Sequence, residues 1–100
     1  MSQTDSKVIV ITGCSSGIGL ETAVACAKAG HKVFATMKNL EKRWKLDKRI
    51  EEEKLENIEI MKLDVSDESS RKTTIANIGR VVGNIDVLVN NAGNLGIGSL

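Results

Sequence analysis

Three glycines and the small polar residues between them form the part of the sequence best suited to chemistry. Gly13, Gly17 and Gly19 follow a run of β-branched residues, and Cys-Ser-Ser separates the first glycine from the second. Glycine allows tight turns and a close approach of the backbone to a ligand, and free N–H groups at a helix start attract anions. The loop therefore predicts a phosphate site, with a purely structural turn as the alternative.

The spacing of these glycines narrows the kind of phosphate ligand. Gly13 suits a tight turn, Gly17 a close approach to a pyrophosphate, and Gly19 close packing of a helix on a strand. The pattern G-x-x-x-G-x-G differs from the common G-x-G-x-x-G fingerprint. The loop also lacks the Gly-Lys-Ser/Thr ending of nucleotide triphosphatases, which argues against a triphosphate site. Because Gly17 suits a close approach of the backbone, we expect the loop to hold a pyrophosphate.

Apolar runs and helical periodicity place this loop between a strand and a helix. The same patterns predict strands at residues 7–12, 32–36, 58–65 and 86–90, and helices at 18–29, 41–56 and from Ser66 or Asp67 to Val82. Strands that alternate with helices favour an α/β fold with a parallel sheet and helices on both faces. Right-handed crossovers then predict the strand order 3-2-1-4.

The predicted helix at residues 41–56 is mostly charged, with twelve of its sixteen positions occupied by charged residues, six of each sign. Asn39 is its predicted cap. Pairs four residues apart, Glu41 with Lys45, Lys48 with Glu52 and Arg49 with Glu53, favour a solvated helix. Its apolar stripe is narrow, formed by Trp44 with Leu40 and Ile50 with Leu46, so we expect weak docking.

Length, charge and cysteine content exclude several classes of protein. One hundred residues make at most one domain, and 14 Lys and Arg against 13 Asp and Glu leave no charge excess to bind nucleic acid. The apolar run at residues 8–11 is far shorter than a membrane span. Cys14 and Cys26 lie too far apart along the predicted loop and helix for a disulfide. The sequence thus predicts a cytoplasmic protein with reduced cysteines and no membrane span.

Three short motifs in this order resemble the short-chain dehydrogenase/reductase family. Residues 12–19 match T-G-x-x-x-G-x-G, residues 90–93 match N-N-A-G, and Asp64-Val65 matches the acidic position after the third strand. Residues 33–39 are similar to the branch of steroid and retinol dehydrogenases. The resemblance implies a Rossmann-type sheet and a nicotinamide dinucleotide as cofactor.

The resemblance also implies which residues contact the dinucleotide. Asp64 would accept a hydrogen bond from the adenine amino group and Val65 would contact the ring, with a helix N-cap as the alternative role of Asp64. Asn91 is expected to brace neighbouring strands. The residues implied for the pyrophosphate are Gly13, Cys14, Ser15, Ser16, Gly17, Ile18 and Gly19, and those for the ribose side are Asn90, Ala92 and Gly93.

The residues after the second strand favour NADP over NAD. Family members selective for NAD carry a carboxylate there, which repels a 2′-phosphate. This chain has Met37 followed by Lys38, and Ser15, Ser16 and Thr36 offer further hydroxyl donors. Cys14 is interpreted as a variable spacer of the loop rather than a redox nucleophile.

No residue of the chain is predicted to be catalytic or to bind a metal. The family's reaction uses Tyr, Lys and Ser, but this sequence contains no Tyr. Residues 1–100 are therefore expected to be the front portion of a domain of about 250 residues, inactive alone and able to act on an alcohol or carbonyl substrate only if the chain continues.

The last predicted strand has no predicted neighbour on its outer side. Residues 87–89 are apolar like an interior strand, so an open edge is expected to cause self-association or pairing with another chain. Two other interpretations remain. One is a non-catalytic dinucleotide-binding module or sensor, and the other is a flavodoxin-like or receiver-like domain.

Overall fold

A four-stranded parallel sheet forms the centre of the molecule. The computed structural model describes residues 6–91. Its elements are β1 (Val8–Ile11), α1 (Gly17–Lys28), β2 (Lys32–Met37), α2 (Trp44–Glu53), β3 (Ile58–Lys62), α3 (Glu68–Val82) and β4 (Val87–Val89). The strand order is β3-β2-β1-β4 with every pair parallel, which confirms the predicted fold.

The two faces of the sheet are covered by different helices. Alternate residues of a strand point to opposite faces, so Ile9 and Ile11 join a core with α1 and α2 on one side. Val10 and Phe34 pack against Ile78 of α3 on the other side. A strand buried on both faces needs an unbroken apolar run, and β1 has one.

The charged segment between β2 and β3 differs from the single helix predicted for residues 41–56. A short 3₁₀ turn at Leu40–Lys42, capped by the Asn39 side chain as predicted, precedes α2. The helix ends at Glu53 because Lys54 adopts a left-handed conformation, and the N–H of Leu55 bonds to the carbonyl of Ile50 at 3.0 Å. This pattern is a Schellman ending, which stops the helix three residues early.

The docking of α2 also differs from the prediction. Trp44, expected in the apolar stripe, is 61% exposed, whereas Leu46 is fully buried in the core of the α1 face. Leu40 and Ile50 pack against the same core. The helix is therefore anchored by one fully buried leucine and its neighbours rather than weakly attached.

The outer strands are shorter than predicted. β3 ends at Lys62 rather than at residue 65, although the N–H of Leu63 still bonds to the carbonyl of Met37 at 2.9 Å. In β4, Val87 and Leu88 are 38% and 39% exposed, because the strand pairs only with β1 among the described strands. Its apolar composition suits an interior strand, but it forms the edge of this sheet.

Within residues 6–91, none of the helices has the length and apolarity needed to cross a membrane.

Candidate functional site

The glycine loop between β1 and α1 has the close packing predicted for it. Gly13 and Gly17 have positive φ angles of 69° and 63°. A Cβ on Gly19 would lie 2.1 Å from the Gly13 carbonyl oxygen and 2.6 Å from Asn91 Nδ2. Glycine is therefore required at position 19 for helix and loop to pack, and a side chain at positions 13 and 17 would strain the backbone.

The end of β4 holds the loop from the opposite side. The Thr12 hydroxyl accepts a hydrogen bond from the Asn91 N–H at 2.8 Å and donates to Asn90 Oδ1 at 3.2 Å. Asn91 Nδ2 donates to the Gly13 carbonyl at 3.2 Å. Asn91 thus has a bracing role, as predicted, and its partner is the glycine loop itself.

Cys14 lies beneath the loop rather than on its binding surface. Its N–H donates to the Thr36 carbonyl at 3.0 Å, its thiol donates to the Ile11 carbonyl at 3.3 Å, and the residue is fully buried. Burial raises the pKa of the thiol to about 12, so Cys14 remains protonated and unreactive at neutral pH. We therefore correct its assignment from cofactor contact to core residue, in agreement with the expectation that it is no nucleophile.

The start of α1 offers an open position for an anion. Ser16 is the N-cap residue, yet within residues 6–91 no side chain caps this helix, and its first turn carries no acidic residue. Ser16, Gly17 and Ile18 are exposed, and a Cβ on Gly17 would meet only open space. The first N–H groups of a helix lack partners in the helix itself, so a phosphate fits here both in space and in charge.

At the end of β2 the exposed residue is Lys38. Met37 is only 2% exposed and packs in the core, and Thr36 is fully buried with its hydroxyl donating to the Ile11 carbonyl at 3.0 Å. The prediction that Thr36 offers a hydroxyl to the cofactor is therefore wrong, because that hydroxyl stabilises the sheet. Lys38 is the first side chain after β2 that a ligand can reach.

Asp64 follows β3 at the same edge of the sheet. Its carboxylate accepts hydrogen bonds from the Ser66 hydroxyl at 2.7 Å and the Ser66 N–H at 3.0 Å. These bonds, and the charges of Lys38 and Lys62, hold the pKa of Asp64 below its usual value. The N-cap of α3 is Asp67, which accepts from the N–H groups of Ser69 and Ser70, so the alternative role proposed for Asp64 is excluded.

The carboxyl ends of the four strands therefore bring most of the predicted residues to one edge of the sheet. This is where parallel α/β proteins bind ligands. Val65 and Asp64 are half-buried there, Ser15 is half-buried in the loop, and Asn90 is exposed. Ala92 and Gly93 lie outside the described residues. In the described part of the chain, no group of three His, Cys, Asp or Glu is placed to hold a metal ion.

Sequence reasoning missed one set of residues beside this edge. Trp44, Lys45 and Lys48 of α2 line a groove that also borders Ser16 and Gly17. The predicted pairs of Lys45 with Glu41 and Lys48 with Glu52 assigned both lysines to the surface of a solvated helix. Among the described residues neither of these pairs forms. The signal available in the sequence was that both lysines belong to the predicted helix that follows the second strand.

Comparison with known proteins gives a consistent result. The family model described as short chain dehydrogenase matches residues 7–99. A 3beta-hydroxysteroid dehydrogenase of Mediterraneibacter gnavus is 38% identical over 96 residues, which are 96% of this chain and 34% of that protein. An NADP-dependent 3-hydroxy acid dehydrogenase of Schizosaccharomyces pombe is 38% identical over 94 residues, which are 93% of this chain and 36% of that protein.

A solved structure shows the same likeness in three dimensions. The crystal structure of an actinorhodin polyketide ketoreductase variant with NADPH superposes with a TM-score of 0.80 and 34% sequence identity. The match covers 94% of this chain and 36% of that protein. The chain thus spans about a third of the length of the relatives it matches.

Proposed function

Because the chain belongs to the short chain dehydrogenase family, we propose that the carboxyl edge of its sheet binds a nicotinamide dinucleotide. The observation that carries this proposal is the uncapped start of α1, where Gly17 faces open space and Gly19 packs directly on Gly13. The pyrophosphate would accept hydrogen bonds from backbone N–H groups of the loop at residues 13–19 other than that of Cys14, which is bonded to the Thr36 carbonyl. The positive end of the α1 dipole would stabilise its charge.

The remaining contacts are assigned along the same edge. Asp64 would accept a hydrogen bond from the adenine amino group, and Val65 would contact the ring. Asp64 is ionised at neutral pH, since its pKa lies below the usual value, and an ionised carboxylate accepts a stronger hydrogen bond than a neutral group. Asn90, with Ala92 and Gly93, would line the ribose side of the cofactor. Ser15 and Ser16 remain available as hydroxyl donors, and Asn91 acts by holding the loop.

We propose NADP rather than NAD as the preferred cofactor. Lys38 is exposed at the end of β2, where a cation attracts the 2′-phosphate and a carboxylate would repel it. Two relatives support this choice, since one is called NADP-dependent and the solved ketoreductase is described with NADPH.

Binding of the two dinucleotides to the 100-residue chain tests both proposals. We expect NADP to bind at least about tenfold more tightly than NAD, a difference of about 1.4 kcal/mol. Lys38→Asp should remove or invert this preference, because it replaces an attraction to the 2′-phosphate by a repulsion. Isothermal titration calorimetry measures both affinities, with Lys38→Gln as an intermediate control. Equal affinity of the wild-type chain for NADP and NAD would contradict the assignment.

The chemistry of the complete protein is proposed from the family. Bound NADP would supply a nicotinamide ring that gives or accepts a hydride, and the substrate would be an alcohol or carbonyl compound. This chain contributes no Tyr to transfer the proton. Its proposed role is therefore to hold and orient the cofactor, and the 100-residue chain is expected to bind NADP without turnover. Both cysteines are free, which agrees with the cytoplasmic location we propose.

The exposed edge of β4 is the proposed site of self-association. Val87 and Leu88 are more than a third exposed on a strand whose outer backbone groups lack a partner strand among the described residues. We expect the weight-average mass in sedimentation equilibrium to rise with concentration, and Leu88→Lys to lower it. A strictly monomeric wild-type chain at all concentrations would refute this interaction. The alternative, a non-catalytic module that pairs with another chain, would use the same edge.

A further inference from the structure

A groove beside the glycine loop is lined in part by residues of α2 that the proposed contacts leave unused. It has a volume of about 370 Å³ and lies between the start of α1 and the first turns of α2. Ser16 and Gly17 form one wall, and Trp44, Lys45 and Lys48 contribute to the other. A ligand that lies over the glycine loop therefore has direct access to two cations and one aromatic ring.

The ion pairs around the groove leave these two lysines available. Arg49, which also borders the groove, is held by Glu21 at 2.7 Å and by Glu53 at 3.5 Å. Lys45 Nζ lies 5.5 Å from the centre of the Trp44 ring, and Lys48 forms no ion pair within the described chain. Of the two acidic residues in the lining, Glu21 is neutralised by Arg49, so Glu52 alone offsets the lysines.

The position of the groove indicates which part of a dinucleotide reaches it. The short segment from Lys38 to Arg43 connects the end of β2, where the adenosine ribose is proposed to lie, to the start of α2. A group that leaves the ribose toward this side of the loop enters the field of Lys45 and Lys48. The 2′-phosphate is the group that distinguishes NADP from NAD.

We propose that Lys48, assisted by Lys45, is a second determinant of cofactor choice that attracts the 2′-phosphate of NADP from α2. This inference rests on the proposed function, because it requires the dinucleotide to lie over the glycine loop. Lys38 supplies one cation from the end of β2, outside the groove lining, and Lys48 supplies another from the α2 wall of the groove. The combined positive field favours the phosphorylated ribose and weakens with added salt.

Two nucleotides that differ by one phosphate test this proposal. Adenosine 2′,5′-bisphosphate and adenosine 5′-monophosphate are titrated into the 100-residue chain and followed by calorimetry. Trp44 is the single tryptophan of the chain, so its fluorescence independently reports a ligand in the groove. We expect Lys48→Gln to weaken binding of the bisphosphate about fivefold, equivalent to about 1 kcal/mol, and to leave the monophosphate within about twofold.

Matched variants separate a local effect from a change in net charge. Lys72→Gln removes the same charge from exposed α3, outside the groove, and should leave both affinities unchanged. Glu52→Gln removes the opposing charge and should tighten bisphosphate binding. Circular dichroism checks that each variant is folded.

Two results would overturn the inference, and they differ in whether the proposed dinucleotide site fails as well. If the wild-type chain binds neither nucleotide, the proposed dinucleotide site fails together with the role of Lys48. If the wild-type chain binds both but Lys48→Gln changes neither affinity, or weakens both equally, only the role of Lys48 in phosphate selection fails.

Discussion

Replacement of Gly19 by alanine is expected to destabilise the protein by about 3 kcal/mol or more and to abolish dinucleotide binding. The added Cβ would lie 2.1 Å from the Gly13 carbonyl oxygen, 2.8 Å from the Gly13 carbonyl carbon and 2.6 Å from Asn91 Nδ2. Two of these atoms are backbone and cannot rotate away, so helix α1 must move off the loop. Urea denaturation followed by circular dichroism measures the change in the free energy of unfolding.

Gly79→Ala is the matched control for this substitution. Gly79 lies within α3, and a Cβ there would meet no atom within 4 Å. Because glycine weakens a helix relative to alanine, Gly79→Ala should raise the free energy of unfolding by about 0.5 to 1 kcal/mol. If Gly19→Ala proved as stable as the wild-type protein and bound NADP normally, the close contact of α1 with the loop would be wrong.

Leu46→Ala is expected to destabilise the protein by about 2 to 5 kcal/mol. Leu46 is the one fully buried residue of α2, and it packs in the same core as residues of α1, β1 and β2. Its truncation leaves a cavity in addition to the lost apolar burial. The midpoint of urea unfolding should therefore fall strongly, and the groove between α1 and α2 should open.

Trp44→Ala provides the comparison on the same helix. Trp44 is the larger side chain but is 61% exposed, so its loss should change the free energy of unfolding by less than about 1 kcal/mol. A larger loss in the free energy of unfolding for Trp44→Ala than for Leu46→Ala would mean that Trp44 packs against the core, as the predicted apolar stripe implies. That result would contradict the observed docking of α2.

The strands and their order were predictable because the signals are local or follow from chirality. A β-branched run marks β1, a short and mostly apolar run marks β2, and right-handed crossovers leave few orders for four parallel strands. The loop glycines were predictable for the same reason, since Gly13 and Gly17 have the positive φ angles that favour glycine. The family motifs then added Asp64 and Asn90, which follow the two outer strands β3 and β4 and which no local pattern singles out.

The errors arise where the burial of one side chain depends on distant residues. Thr36 and Cys14 were predicted near the cofactor because they are polar or lie in the loop, yet both contact the Ile11 carbonyl from inside the fold. In α2, apolar spacing alone could not show that Leu46 faces the core while Trp44 faces solvent. Ion pairs four residues apart were equally ambiguous, because Arg49 also reaches Glu21 on α1.

The hydrogen bonds between Thr12, Gly13 and the end of β4 have a consequence for the order of folding. They join residues that are 77 to 79 positions apart in sequence, nearly the full length of the described chain. Closing so long a loop carries an entropic penalty that shorter contacts avoid. The loop at residues 13–19 is synthesised early but gains these braces only after β4 has joined the sheet. During synthesis on the ribosome, cofactor binding should therefore begin only after residue 91 has left the exit tunnel.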